Sequence, residues 1–327
     1  MRSIVLLILL AGPTPIPVPG GEGGIGFDDL VFSGALGRFI VPGGRTGSVF
    51  LLDPGTRQLE ALGRLSKLPA WQGGHGQGAT SADARADTLF VADRTSRRLF
   101  AMPVRGDGPA AEAPLESGPD YVRWVEPTAE VWVTEPDASA IEVFRFQGGA
   151  KPSLVRVGKI AVPDGPESLV IDAAHGRAFT NTWHEHTLAI GLKDRAVGPK
   201  WSNGCKGARG LAADLEHGLL FVGCAEGAAT VIDAGKGKLA GRAATGAGVD
   251  IVAYAGSTRR LYVPSGKAGT LEVFAVEADG SLRSLRRMPA AQESHCVAAD
   301  ERGHVVVCDP RGGRLLFYED DAPGPAR

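Results

Sequence analysis

Six charged residues of this 327-residue chain recur at one place in a repeated sequence unit and could build a binding site. They are Asp28, Asp120, Glu167, Arg209, Asp250 and His295. Carboxylates that converge on one point repel each other unless a cation, a guanidinium or a shared proton offsets their charge. Glu167, Asp250 and His295 would offer ligands to a calcium or zinc ion, whose bound water or polarised substrate oxygen would react. The alternative is that these charged side chains lie at a solvent-filled opening, where water and Arg209 are the only partners that they need.

Three further histidines are alternative metal ligands. His75 lies in the glycine-rich segment 71–78 (WQGGHGQG), which could follow a ligand closely because glycine backbones can, or be a plain surface loop. His184 and His186 flank Glu185 in a predicted turn, where side chains two residues apart can point the same way. An exposed polar turn explains them equally well, and the spacing differs from the helical HExxH of zinc proteases. The remaining histidines are predicted to lie in solvated turns on the opposite face: His175, His217 and His304.

A repeat of two apolar strands joined by a tight turn positions the six charged residues. Residues 207–222 (GARGLAADLEHGLLFV) illustrate this hairpin signature. Seven copies, 41 to 50 residues apart, begin their first strand at Asp28, Gly78, Asp120, Glu167, Arg209, Asp250 and His295. This period, with strands and no helical pattern, predicts an all-β, seven-bladed propeller with four-stranded blades. The first residue of each inner strand should then face the central channel at one mouth.

The repeats predict a single propeller domain over residues 27–320, because propellers grow by repetition. Its last blade has three strands near the end of the chain. The fourth strand either comes from the N-terminal segment or is missing, which would leave the blade incomplete. Residues 13–26 (PTPIPVPGGEGGIG) are predicted to be a mobile linker and are poor strand formers, and residues 321–327 to be a C-terminal tail.

The N-terminus and the cysteines predict export to the periplasm or the exterior. Residues 1–12 (MRSIVLLILLAG) contain a short apolar run typical of a secretory signal; a wrongly assigned start or an uncleaved anchor is the alternative. We expect no membrane span after signal removal. Cys296 and Cys308 are symmetric about a predicted turn, and Cys205 and Cys224 should reach the same face of the propeller. Two disulfides, 205–224 and 296–308, are therefore predicted.

Composition argues against several functional classes. The net charge is −2 and no Lys/Arg cluster is interleaved with aromatic residues, so nucleic acid is not an expected partner. The sequence lacks a GxSxG elbow, a phosphate-binding glycine loop and a CxxCH haem motif. We expect a monomer. The one cofactor that the sequence suggests is the divalent metal discussed above.

The repeats resemble those of a known group of propellers. The segments LFVGCAEGAATVIDAGKGKLAG and GVDIVAYAGSTRRLYVPSG are similar to the YVTN-type repeats of YncE-like seven-bladed propellers, which are mostly exported bacterial proteins. The resemblance covers most of residues 28–318 and specifies architecture rather than activity. The last copy, SHCVAADERGHVVVCDPRGGRLLFYED, is also similar to NHL-type repeats. In gluconolactonase-like propellers, and in the peptidylamidoglycolate lyases that contain NHL-type repeats, the channel mouth holds a divalent ion. This chain lacks the asparagine-rich ligand set of the lactonases.

Two functions follow as hypotheses. The first is a binding scaffold whose channel mouth takes a small molecule, a metal or a partner protein. The second is a metal-dependent lactonase, hydrolase or lyase that uses the same funnel. A metal ion held by the ring would favour the enzyme, and a large exposed apolar patch would favour protein binding at the blade edges.

Overall fold

The computed structural model describes residues 12–105 and 111–320, which form 28 β-strands and two single turns of 3-10 helix, Glu126–Thr128 and Pro136–Ala138. The predicted tail, and the predicted signal segment except Gly12, lie outside the described residues. The strands in chain order are β1 (Thr14–Pro17), β2 (Val31–Ser33), β3 (Arg38–Pro42), β4 (Val49–Leu52), β5 (Leu59–Leu62), β6 (Ala79–Arg85), β7 (Thr88–Asp93), β8 (Arg98–Pro103), β9 (Ala111–Pro114), β10 (Val122–Val125), β11 (Glu130–Glu135), β12 (Ala140–Gln147), β13 (Ser153–Ala161), β14 (Glu167–Asp172), β15 (Arg177–Asn181), β16 (His186–Gly191), β17 (Val197–Ser202), β18 (Ala208–Asp214), β19 (Leu219–Cys224), β20 (Ala228–Asp233), β21 (Lys238–Ala244), β22 (Ala253–Ala255), β23 (Arg260–Ser265), β24 (Thr270–Val276), β25 (Leu282–Pro289), β26 (Val297–Ala299), β27 (His304–Asp309) and β28 (Arg314–Glu319).

These strands build seven four-stranded antiparallel sheets, which confirms the predicted seven-bladed propeller. Six blades, numbered 1 to 6 in chain order, use consecutive strands: β2–β5, β6–β9, β10–β13, β14–β17, β18–β21 and β22–β25. The tight turns between inner strands follow from the sequence. In the turn from β18 to β19, the Asp214 carboxylate accepts a hydrogen bond from the His217 amide at 3.1 Å, and Gly218 takes a left-handed φ of 66° that favours glycine.

The seventh blade is complete, because the N-terminal segment supplies its outer strand. Its order is β1-β28-β27-β26, with Ile16 opposite Leu315. The prediction of a mobile linker was therefore wrong for this stretch. Proline can occupy an edge strand because its missing N–H faces away from the sheet, and the apolar side chains of Ile16 and Val18 are buried against the last blade.

Both predicted disulfides are present. Cys205 is bonded to Cys224, and Cys296 to Cys308. Cys296 directly precedes β26, and Cys308 lies in β27. Because Val297 pairs with Val307, the two cysteines stand opposite each other, as the turn symmetry predicts. Disulfides of this kind contribute about 2–4 kcal/mol each to stability. The described chain contains no helix long and apolar enough to cross a membrane.

A buried glutamate of blade 6 and the glutamate at the same position in blade 3 differ in the side chain that faces them. In blade 6, Ser265 Oγ donates a hydrogen bond to Glu272 Oε2 at 2.9 Å. In blade 3, Glu142 has the same register as Glu272, and Glu135 stands where Ser265 does. The side chains of Glu135 and Glu142 are both buried. Because a protonated carboxyl can donate as a serine hydroxyl does, we expect Glu135 and Glu142 to share a proton.

Burial raises the pKa of Glu135 to about 7, with repulsion from Glu142 and Glu116 adding to the shift, while the Ser117 amide and the Lys159 charge oppose it. The bound proton stabilises the fold fully below about pH 4.5, and this contribution is lost as the pH rises through about 7.

Replacing Glu135 by glutamine should remove this loss of stability at high pH. Glu135→Gln keeps a donor for Glu142 without a charge, so its urea unfolding midpoint should exceed that of the wild type at about pH 8 and match it at about pH 5. The exposed Glu60→Gln is the control and should follow the wild type at both pH values. Identical pH dependence in Glu135→Gln and the wild type would contradict a shared proton.

Candidate binding site at the channel mouth

A cavity of about 510 Å³ opens at one end of the central channel. Asp120, Glu167, Arg209 and Asp250 line it, one each from blades 3, 4, 5 and 6. A second cavity of about 680 Å³ is lined by His295 and shares His75 and Asp250 with the first, so the two adjoin. Asp28 is buried behind His75. The structure thus brings the six residues singled out in the sequence to one mouth.

Irregular backbone at the tops of the inner strands aims these side chains. The pairing register shifts between Glu167 and Val170 in blade 4, and between Ala208 and Leu211 in blade 5. Ser168, directly after Glu167, has a φ of 70°, a left-handed conformation that is costly for a serine. Its hydroxyl accepts a hydrogen bond from the Leu211 amide at 3.0 Å, which ties the two bulged strands together. Bulges of this kind redirect side chains at functional sites.

Asp28 is a buried carboxylate with ample positive charge around it. His75 Nδ1 lies 2.8 Å from its Oδ2, and Arg94 lies 3.8 Å away. Burial alone would raise the pKa of Asp28, but the charges of His75, Arg94 and His295 overcome it and lower the pKa. The attraction of Asp28 in turn raises the pKa of His75 to about 10. This pair is therefore ionised at neutral pH.

Asp120 and Glu167 are less well compensated. Asp120 is paired with Arg94, yet burial and repulsion from Asp28 raise the pKa of Asp120 to about 7. Burial raises the pKa of Glu167 well above its ordinary value, and the negative charges of Asp120 and Asp250 add to the effect. Trp183 Nε1 donates to Glu167 Oε2 at 2.7 Å and limits this shift. Carboxyl groups at this mouth therefore hold protons that solvated ones would lose.

Asp250 and Arg209 have the fewest contacts. The Asp250 carboxylate accepts no hydrogen bond and makes no ion pair within residues 12–105 and 111–320; Arg209 Nη1 donates only to the carbonyl of its neighbour Ala208, at 2.9 Å. Asn181 Nδ2 donates to the Arg209 carbonyl at 2.6 Å, which fixes the backbone beneath the guanidinium. Both charged groups therefore remain available to a ligand.

Another buried charge pair lines a separate cavity of about 160 Å³ between the inner strands. Arg123 donates to both oxygens of Asp29, at 2.5 and 3.0 Å. The Tyr121 ring contacts the Arg123 guanidinium and lines the same cavity. Burial, together with the acids of the mouth, raises the pKa of Tyr121 well above its ordinary value. The phenol therefore keeps its proton.

The three predicted metal ligands are not assembled into a coordination site. Among the described residues, one trio of histidine, cysteine or carboxylate donor atoms lies within 4.8 Å, namely His295, Cys296 and Cys308, and its two sulfurs are joined as a disulfide. The ring nitrogens of His295 instead lie 2.6 Å from the carbonyl of Glu293 and 2.9 Å from that of Phe27. A calcium or zinc ion held by Glu167, Asp250 and His295 stays a prediction, and no chemical step is assigned to it.

The alternative histidines differ in position. His75 lines both cavities, held by a loop that packs so closely that a side chain on Gly26 would meet the Gly74 carbonyl. His184 is exposed and lies 3.2 Å from the Lys206 carbonyl, and neither it nor His186 lines either of these two cavities. Their neighbour Trp183 takes the place at the mouth.

Arg94 is the site residue that the sequence did not reveal. Blade 2 contributes Gly78 to the ring, which has no side chain, and a Cβ there would collide with the Gly44 carbonyl. Arg94, which follows the second strand of the same blade, fills this gap and contacts Asp28 and Asp120. The sequence signal for this residue was a cationic side chain directly after β7, in the blade whose residue at the channel mouth is a glycine.

The chain is thus a seven-bladed propeller with a charged funnel at one mouth. No protein-family model and no curated protein matches it. It is similar to a chain in the crystal structure of a mitotic checkpoint complex, with a TM-score of 0.75, 13% identity, and coverage of 97% of this chain and 99% of that one. For Kuenenia stuttgartiensis hydrazine synthase the values are 0.72, 13%, 98% and 99%. For the Cps50 (Swd1) propeller domain of Myceliophteria thermophila they are 0.69, 12%, 94% and 99%. At these identities the likeness shows the fold alone.

Loss of the His75 charge should weaken the fold in a pH-dependent way. The ion pair with Asp28 contributes stability that is fully present below about pH 6.5 and is lost as the pH rises through about 10. His75→Gln should therefore lower the free energy of unfolding by roughly 1 kcal/mol near pH 6, a discounted value because the imidazole is partly exposed, and change little near pH 10. Urea titrations measure this difference. The exposed His184→Gln should be neutral at both pH values, and an equal response of the two variants would contradict the ion pair's role.

Proposed function

We propose that this protein is an exported binding scaffold that holds a small polar molecule in the channel mouth. The observation that carries the proposal is the cavity of about 510 Å³, which is lined by charged residues of blades 2 to 6 and in which Asp250 and Arg209 lack strong protein partners. Small-molecule sites are typically concave, of a few hundred Å³, and equipped with a few convergent polar groups.

Export is supported by two independent features. The first 12 residues have the composition of a secretory signal, and the two disulfides suit an oxidising compartment such as the periplasm or the exterior. The resemblance of the repeats to the YVTN type of YncE-like propellers points the same way, because those proteins are mostly exported.

The geometry favours binding over the metal-dependent lactonase, hydrolase or lyase. Those reactions need a cation held at short distance by several ligands, and Glu167, Asp250 and His295 do not come together in that way. A folded partner protein is also less well matched, since a concave funnel suits a small ligand better than a flat surface.

A thermal-shift screen of small polar metabolites tests the proposal. We expect at least one class to raise the melting temperature of the wild type, since a ligand at 100 times its Kd stabilises by about 2.7 kcal/mol. Asp250→Asn should lose this response. Glu216→Gln, an exposed residue in the turn on the opposite face, is the matched control and should keep it.

Stabilisation that persists equally in Asp250→Asn would place the ligand elsewhere on the propeller. The absence of any stabilising compound in the screen would contradict the binding function itself.

A further inference from the structure

The channel mouth divides into a compensated half and an uncompensated half. On one side, Asp28 and Asp120 contact His75 and Arg94 directly. On the other side, neither Glu167 nor Asp250 makes an ion pair within the described residues, although both line the same cavity as Arg209. Two carboxyl groups at the mouth are therefore without a direct cationic partner.

The uncompensated half also presents unused acceptor atoms. Glu167 is nine-tenths buried; its Oε2 accepts the hydrogen bond from Trp183, and its Oε1 contacts no donor within the described residues. The Asp250 carboxylate is likewise without a donor, and both residues line the same cavity. These oxygens open onto the cavity, so a bound cationic group would contact them directly and offset their charge.

An aromatic surface completes the arrangement. The Trp183 side chain is 40% exposed, which is unusual for a residue of this size, and it lines the cavity. Its indole nitrogen is tied to Glu167, so the carboxyl group lies at the ring edge and the faces of the ring are left for a ligand. Tryptophan faces attract cations more strongly than those of the other aromatic residues.

We propose that the ligand carries a positively charged nitrogen, a primary to quaternary ammonium group, which lies against Glu167, Asp250 and the ring of Trp183. This inference rests on the proposed binding function and names its ligand class. Arg209, between the two acids in chain order, is then the group that pairs with a carboxylate or hydroxyl elsewhere on the same ligand.

Binding of the cation should displace a proton. Burial and the charges of Asp120 and Asp250 raise the pKa of Glu167 well above its ordinary value, while Arg209 and the hydrogen bond from Trp183 oppose this shift. Since proton and ammonium compete for the same negative charge, affinity for the cation should rise with pH.

Calorimetric titration with matched probes tests the proposal on the full propeller. The probes are choline, putrescine and glycine, with 3,3-dimethyl-1-butanol as the uncharged isostere of choline and succinate as an anion. We expect at least one ammonium probe to bind, its uncharged isostere to bind at least roughly tenfold more weakly, and the apparent Kd to tighten by up to roughly tenfold per pH unit for one displaced proton.

Two variants identify the groups involved. Glu167→Gln keeps the hydrogen bond from Trp183 but removes the titrating charge, so it should weaken ammonium binding by roughly tenfold or more and abolish its pH dependence. Asp250→Asn should weaken binding while leaving some pH dependence. Glu216→Gln should behave as the wild type.

Preferential binding of succinate or of the uncharged isostere would overturn the ammonium assignment and leave the binding scaffold intact. Binding of calcium or zinc in place of every ammonium probe would overturn it in favour of a metal site. If no probe binds and the metabolite screen also finds nothing, the proposed function fails with it.

Discussion

The convergence of seven inner strands on one axis is the constraint on which the rest of this structure depends. It forces the first side chains of all blades into one small space, where burial and like charges act together. Asp28 makes direct ion pairs with His75 and Arg94, and Asp120 contacts the same Arg94. Glu167 and Asp250 have no such ion pair, and burial together with the charges of Asp120 and Asp250 raises the pKa of Glu167.

The same constraint explains why the closing blade matters. A ring of blades holds its inner strands in place only if the circle is closed, and here the chain closes it with β1 against β28. The sequence predicted the seven blades because every copy carries a hairpin with alternating apolar residues. It could not predict β1, because two prolines in four residues argue against a strand, and only the vacant edge of the last blade makes them acceptable.

The site was predictable to a similar degree. Stacking the copies places the ring residues at one mouth, since the repeat fixes which residue begins each inner strand. The pairings within the mouth depend on contacts between blades, which no periodicity encodes: Arg94 reaches across to Asp28, and the loop around His75 folds back against Gly26. The histidines of the opposite face show the same limit, because His175, His217 and His304 are each paired with an aspartate of their own turn rather than only solvated.

The account centres on two carboxyl groups, Asp120 and Glu167, that keep protons because burial and repulsion from neighbouring acids outweigh the positive charges around them. Titration of the wild-type protein with carboxyl ¹³C NMR of Asp120 and Glu167 measures this directly. We expect Asp120 to titrate near pH 7 and Glu167 well above its ordinary pKa of 4.5. Titration of both groups at the values of solvated carboxyls, near 3.8 and 4.5, would contradict the account.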